Sequence, residues 1–133
     1  MQIVEKVPSN LEVIPEFIAG LLKRLKKFDI SDEDRFSIKL SLEESLVNAV
    51  KYGNKLDPQL FVEVFIEVKD NTLSIRVKDQ GQGFDFKNVL DPTQEENLER
   101  TSGRGIFLIK SLMDEVKFCE GGNQIIMKKS LGK

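Results

Sequence analysis

Apolar residues recur along this chain with two different periods, and the change from one period to the other separates helices from strands. Residues 1–9 alternate and predict a short first strand. Apolar side chains spaced three and four apart then predict a helix over 9–28. A second, longer helix is predicted over 31–54, because Ser31 is typical of an N-terminal cap and Gly53 of a helix stop.

The second half of the chain alternates apolar and polar residues more strictly. This pattern predicts four further strands, over 60–69, 72–79, 116–120 and 124–130. The first two flank the tight turn Asp70-Asn71, and the last two flank the glycine-rich turn at 121–123. Each pair is therefore expected to form an antiparallel hairpin, with a third helix over 104–116 between the hairpins.

A polar segment without periodicity, residues 86–102, interrupts the pattern and contains Pro92. Irregular segments of this length inside a compact domain are usually functional or mobile, so we predict a lid. The order of elements predicts an α/β (α+β) two-layer sandwich, with about five strands in a mixed, mainly antiparallel sheet and three helices on one face. It lacks the regular βαβ alternation of a dinucleotide-binding fold, so its Gly-x-Gly turns do not indicate one.

Composition narrows the function classes. The 133 residues fit one domain over 1–133, and the 20 basic and 22 acidic residues nearly cancel, so no direct nucleic-acid binding is expected. We also expect no membrane segment and a cytoplasmic location, because no long apolar run or secretory leader is present in the sequence. The absence of histidine excludes Ser-His-Asp triads, histidine zinc sites and a self-phosphorylated histidine.

Two glycine-rich stretches could bring backbone close to a ligand. Asp79 ends an apolar strand, where its carboxylate can accept a hydrogen bond from an exocyclic amine such as that of adenine. Gly81 and Gly83 follow and would let the chain turn beneath a flat ring without a clashing Cβ. The stretch 103–105, Gly-Arg-Gly, precedes the third predicted helix, whose free N–H groups and positive dipole end are suited to phosphate.

A third candidate lies on the second helix. Glu44 and Asn48 are four residues apart, so both side chains should lie on one face. The amide oxygen of Asn48 suits Mg²⁺, which keeps water and phosphate oxygens as its other ligands. Glu44 could accept a proton from an attacking hydroxyl, and Lys51 could reach a phosphate.

In this order, the three stretches resemble a known family. SLEESLVNAVKYGN is similar to the N box, VKDQGQGFD to the G1 box and SGRGIFLIK to the G2 box of the histidine-kinase-like ATPases, which have the Bergerat nucleotide fold. The resemblance covers about residues 5–130. Within the family, the compact length and the LERTSGRG run are most similar to the anti-sigma factor serine/threonine kinases.

The resemblance implies ATP and Mg²⁺ as cofactors and a role for each matching residue. Asn48 would bind Mg²⁺, Asp79 would bind the adenine amine, and Glu44 would be the catalytic base. The phosphates would be bound by backbone N–H groups of Gly103, Arg104, Gly105 and Ile106. Arg100 resembles the arginine that such kinases bring to the terminal phosphate, but an additional residue separates it from the Ser-Gly pair, so Arg104 is a rival candidate.

The implied function is phosphorylation of a serine or threonine on an anti-anti-sigma (STAS-like) partner, with a sigma factor as a second binding partner and a homodimer as an allowed assembly. Two alternatives remain open from the sequence. One is an ATP-binding regulatory module that sequesters a regulator without transferring phosphate, and the other is a detached ATP-binding domain of a histidine kinase system.

Overall fold

Five antiparallel strands form one sheet in the computed structural model, which describes residues 1–81, 101–119 and 123–131 and, within 101–104, the helix but not its side chains. The strands are β1 (Gln2–Pro8), β2 (Phe61–Lys69), β3 (Thr72–Lys78), β4 (Glu115–Cys119) and β5 (Gln124–Ser130). Their order across the sheet is β1-β2-β3-β5-β4, and each neighbouring pair is antiparallel. Both predicted hairpins are therefore confirmed.

The turn between β2 and β3 explains why this hairpin could be predicted from the sequence. Asp70 and Asn71 have φ angles of 51° and 62°, the left-handed conformation that a two-residue hairpin turn needs and that Asp and Asn tolerate. The Asn71 side chain donates a hydrogen bond to the carbonyl of Leu131, whose N–H donates to the Asn71 carbonyl at 2.9 Å. The turn is thus fixed to the end of β5.

Three α-helices lie in the described part of the chain: α1 (Ile14–Arg24), α2 (Asp32–Asn48) and α3 (Thr101–Leu112). A single 3₁₀ turn, Leu11–Val13, leads into α1, and α2 continues into a π-helical turn, Ala49–Gly53. The Ser31 hydroxyl accepts the N–H of Asp34 at 3.1 Å, which confirms the predicted cap of α2. None of the described helices combines the length and the apolar character that a membrane span requires.

The predicted bounds of α1 and α3 were wrong. Helix α1 ends at Arg24, so Lys26 and Lys27 lie in the turn that follows rather than in its last turn. Helix α3 begins at Thr101, three residues before the predicted start, and ends at Leu112. Gly103 and Gly105, which the sequence predicts to precede the helix or begin it, lie inside its first turns. The last two residues of the predicted lid, 101 and 102, are helical. Residues 86–100, the rest of that lid, lie outside the described residues.

One face of the sheet and the inner sides of the helices enclose a single apolar core. Its largest fully buried side chains are Ile3, Ile18, Leu21, Leu25, Ile38, Leu42, Leu46, Ile66, Leu73, Ile75, Ile109 and Met127. This arrangement confirms the predicted two-layer sandwich. The helices therefore share one face of the sheet, and α2 and α3 pack against each other there.

A polar contact fixes the far end of α3. The ammonium of Lys129, on β5, donates to the carbonyl of Leu112 at 3.2 Å and lies 3.6 Å from the Asp34 carboxylate of α2. Both charged side chains are largely buried. A cation at the C-terminal end of a helix also complements its dipole. The end of α3 is thereby tied to β5 and to the first turn of α2.

Candidate functional site

The end of α2, the end of β3, the first turns of α3 and the residues before β5 meet at one cavity. Its lining includes Asn48 from α2, Asp79 immediately after β3, Ile106 from α3 and Asn123 immediately before β5. Three of these, Asn48, Asp79 and Ile106, come from the three separate stretches singled out in the sequence. The fold therefore brings those stretches together.

The enclosed part of this cavity is small. Its volume is about 30 Å³, which is room for a water molecule or two. Small-molecule sites usually enclose roughly 300–1,000 Å³. A nucleotide would therefore need the cleft between α2 and α3 to open, or would lie partly outside it.

Asp79 is a buried carboxyl group, 6% exposed, at the cavity wall. Its Oδ1 accepts the N–H of Gly81 at 2.8 Å, and its own N–H donates to the Asn123 carbonyl at 2.9 Å. Burial raises the pKa of the Asp79 carboxyl, and the Gly81 N–H opposes that shift because it stabilises the carboxylate. A buried acceptor held in this way is suited to a ligand that offers an N–H donor.

Two glycines pack tightly around this carboxylate. A Cβ added to Gly53, at the end of the π-helical turn, would lie 2.2 Å from Oδ2 of Asp79. One added to Gly81 would lie 1.8 Å from the carbonyl oxygen of Gly53. At both positions the neighbouring atoms leave no room for a Cβ, so both residues must be glycine. At Gly81 the neighbour is backbone, which cannot move aside easily. The expected role of Gly81 beneath a flat ring stays a prediction.

On the other side of the cavity, α3 packs against the two candidate side chains of α2. A Cβ added to Gly105 would lie 2.7 Å from Oε1 of Glu44 and 3.2 Å from Nδ2 of Asn48. The two side chains thus reach the same point on α3, as their four-residue spacing predicted. Both are partly buried. A glycine at 105 is what allows α3 to approach them so closely.

The position of the α3 start changes the expected phosphate contacts. Only the first four N–H groups of an α-helix lack an intrahelical acceptor. Because α3 begins at Thr101, the N–H of Gly103 belongs to this free set, whereas those of Gly105 and Ile106 fall beyond it. Phosphate binding by the latter two would require the first turn of α3 to open.

The remaining candidates are not brought to the cavity by the described structure. Lys51 is exposed and is not among the residues that line the cavity; its ammonium lies 5.6 Å from the centre of the Tyr52 ring. Gly83 and Arg100 lie outside the described residues, as does the side chain of Arg104. The choice between the two arginines therefore stays open.

Asn123 was predicted only as part of a turn, but its side chain has an unusual position. Its Oδ1 is buried and, within the described residues, has no hydrogen-bond donor. Buried acceptors are rarely left unpaired, and a ligand or a water usually satisfies them. The Gly-Gly-Asn turn does not predict a buried side chain at Asn123, because the approach of Asn123 to Asp79 depends on the pairing of β3 with β5.

These residues fit a magnesium nucleotide. The described residues contain no cluster of three or more His, Cys, Asp or Glu side chains able to hold a metal ion by themselves. One amide oxygen, from Asn48, fits Mg²⁺ that takes its other ligands from phosphate and water. The Asp79 carboxylate and the Asn123 oxygen, which has no donor in the described part of the chain, are both acceptors, as an amine-bearing base requires.

Comparison with known proteins gives consistent results. Residues 7–129 match the family model described as the histidine kinase-like ATPase domain. Serine-protein kinase RsbW of Staphylococcus epidermidis is 32% identical, and that of Staphylococcus aureus strain JH9 is 29% identical, in both cases over 96% of this chain and 86% of the relative. A crystal structure of the RsbU and RsbW domains of a Mycobacterium tuberculosis protein superposes with a TM-score of 0.67 over 98% of this chain and 32% of that one. At 15% identity, this last similarity concerns the fold alone.

Proposed function

We propose that this chain, which belongs to the histidine kinase-like ATPase family, is a serine/threonine protein kinase that uses ATP and Mg²⁺. The observation that carries the proposal is the cavity shared by Asn48, Asp79 and the first turns of α3. The proposal is supported by relatives that are named serine-protein kinases and align with almost the whole chain. Phosphoryl transfer needs a general base and nucleotide binding alone does not, so the role of Glu44 distinguishes a kinase from a module that only binds nucleotide.

The acceptor is proposed to be a serine or threonine on an anti-anti-sigma (STAS-like) protein in the cytoplasm, with a sigma factor as the second partner. This chain has no histidine, so phosphate would pass directly from ATP to the partner without a phosphohistidine on this protein. Phosphorylation would add close to two negative charges to the partner surface. Added phosphate creates charge-assisted hydrogen bonds in some surroundings and repulsion in others, which is how partner exchange would follow.

Each residue has a distinct part in the proposed reaction. Asp79 binds the adenine amine, and the Asn48 amide oxygen holds Mg²⁺. Mg²⁺, when bound, supplies charge neutralisation at the phosphates. Glu44 accepts the proton of the acceptor hydroxyl as its oxygen bonds to the terminal phosphorus, and the bond to the leaving ADP oxygen breaks. Gly105 keeps α3 against Glu44 and Asn48.

The direct test is a transfer assay. The protein is incubated with terminally labelled ATP, Mg²⁺ and the STAS-like proteins encoded by the same organism, and the phosphorylated residue is identified by its acid stability. Acid-stable phosphate on a serine or threonine of a STAS-like protein, lost when Mg²⁺ is chelated, is the expected result. ATP binding with no transfer to any of them would contradict the kinase assignment. Acid-labile phosphate on a partner would indicate a histidine pathway instead.

Gly105→Ala is expected to slow phosphoryl transfer by roughly tenfold or more, because the added methyl displaces the ends of Glu44 and Asn48 and small misplacements of reacting groups are costly. The free energy of unfolding should change little. The displaced atoms are ends of side chains, and alanine is favoured over glycine in a helix by about 1 kcal/mol. Transfer rates and urea unfolding measure the two effects.

Gly20→Ala is the matched control for this substitution. Gly20 lies within α1, and a Cβ added there has no atom within 4 Å. The control should therefore gain about 0.5–1 kcal/mol of stability without a change in transfer. Equal transfer rates for Gly105→Ala and the wild type would show that the contact of α3 with Glu44 and Asn48 does not matter for the reaction.

A further inference from the structure

Asn54 is a buried amide that joins three separate segments behind the cavity. It is 2% exposed and follows the π-helical turn directly. Its Oδ1 accepts the N–H of Gln80 at 2.7 Å, and its Nδ2 donates to the Ser9 hydroxyl at 2.6 Å and to the Phe61 carbonyl at 3.0 Å. The oxygen and both N–H groups of the amide are therefore used.

The bond to Gln80 is the one that bears on the cavity. Gln80 lies between Asp79, whose carboxylate faces the cavity, and Gly81, whose N–H holds that carboxylate. The Asp79 N–H donates to the Asn123 carbonyl, so that peptide group is fixed from the β5 side. Asn54 fixes the next peptide group from the α2 side. The backbone on each side of the Asp79 Cα is thus held by one hydrogen bond, and the Gly81 N–H holds the carboxylate itself.

The π-helical turn brings Asn54 to this position. The N–H of Asn54 donates to the Ala49 carbonyl at 2.8 Å, five residues back rather than four. The same turn places Gly53 against Asp79, close enough to exclude any Cβ. Single π-helical turns within α-helices are frequently found at functional sites. Here the turn links the helix that carries Glu44 and Asn48 to the strand end that carries Asp79.

We propose that Asn54 is a positioning residue for base selection, because its bond to the Gln80 N–H aims the Asp79 carboxylate at the exocyclic amine of adenine. This inference rests on the proposed function of Asp79. Asn54 does not line the cavity, so it acts through the Gln80 peptide group and not on the nucleotide itself. Loss of the bond would let the Asp79–Gly81 turn shift while the Mg²⁺ and phosphate contacts on α2 and α3 stay in place.

The test compares ATP with inosine triphosphate, which has a carbonyl oxygen where adenine has its amine. Calorimetric affinities of both nucleotides with Mg²⁺ give their ratio for the wild type and for Asn54→Ala. The wild type should prefer ATP, and Asn54→Ala should reduce that preference by roughly fivefold to tenfold, a part of what a hydrogen bond to a charged group contributes. If the alanine variant does not fold, Asn54→Ser, whose hydroxyl is too short to reach the Gln80 N–H, should show the same drop.

Ser9→Ala is the matched control. It removes another hydrogen bond of Asn54 and leaves the bond to Gln80 in place. Its thermal stability should fall while its preference for ATP stays at the wild-type value. An equal loss of preference in Ser9→Ala, or an unchanged preference in Asn54→Ala, would overturn the role of Asn54 without affecting the adenine role of Asp79. A wild type that does not prefer ATP would overturn the inference together with the adenine role of Asp79.

Discussion

Glu44→Gln is expected to slow phosphoryl transfer to the protein substrate by roughly 100-fold or more, since a positioned general base contributes about 10²–10⁴ in rate. Glutamine has nearly the same shape and can keep the contact with Gly105, but its amide cannot accept the hydroxyl proton. ATP affinity should therefore stay close to the wild-type value. Single-turnover transfer at saturating ATP, together with a calorimetric titration of ATP, separates the chemical step from binding.

The neighbouring residue provides the control for this substitution. Glu43 lies beside Glu44 on α2 but lines a groove with Pro15 and Ile18 of α1, away from the cavity. Glu43→Gln removes the same charge from the same helix and should leave transfer unchanged. If the two variants behave alike, Glu44 is not the base. If Glu44→Gln loses ATP binding as well, the side chain is needed to form the site and not only for proton transfer.

Asp79→Asn is expected to weaken ATP binding by about 10- to 100-fold, the equivalent of a charge-assisted hydrogen bond of about 1.5–3 kcal/mol. The loss follows from the number of oxygens available. One carboxylate oxygen accepts the Gly81 N–H and the other is left for an adenine amine, whereas an asparagine whose oxygen keeps the Gly81 N–H has a donor group in place of the second oxygen. Its NH₂ group would face the amine instead. Calorimetry with ATP and with inosine triphosphate measures the effect.

Inosine triphosphate makes this prediction specific to the base. The nucleotide lacks the amine, so Asp79→Asn should not weaken its binding, and the change in affinity for ATP should exceed that for inosine triphosphate. Equal losses for the two nucleotides would show that Asp79 supports the cavity without binding the base. Unchanged ATP affinity in the variant would remove Asp79 from the nucleotide site altogether.

The raised pKa of Asp79 adds a pH dependence with a defined sign. Because burial raises this pKa, the carboxylate takes up a proton at a higher pH than an exposed aspartate would. The protonated carboxyl group is a weaker acceptor, so the preference for ATP over inosine triphosphate should fall as the pH is lowered through the raised pKa and be constant above it. The ratio cancels protonation of the phosphates, which both nucleotides share. In Asp79→Asn the ratio should not follow this titration.

The sheet could be predicted from the sequence because its signals are local. Strict alternation in β2 and β3 and the Asp70-Asn71 turn between them determine the hairpin without reference to the rest of the chain. Helix boundaries depend on contacts beyond the segment. The sequence predicts a helix start at the glycines around 105, but the helix begins earlier, and the missing side chain of Gly105 lets α3 pack on Glu44.

The candidate site could be predicted only where its residues form a contiguous motif. Glu44, Asn48 and Asp79 lie in such motifs, and the fold places them near one another. Asn54 was predicted only as the last residue of the second helix and Asn123 only as part of a turn, because their roles depend on strands that are distant in sequence. Which apolar residues are exposed could not be predicted either. The pattern does not distinguish Phe36, which is 59% exposed, from the buried residues of the same helix.

The Lys129 contact at the end of α3 determines where that helix can move. Because the Leu112 carbonyl is held by Lys129 of β5, whose ammonium also lies beside Asp34 of α2, the C-terminal end of α3 acts as a pivot. If the cleft opens for a nucleotide, the N-terminal end of α3, which contains Gly103 and Gly105, must move. This end can swing away from α2, or its first turn can unwind. A nucleotide that opened the cleft would therefore displace the N-terminal end of α3 more than its C-terminal end.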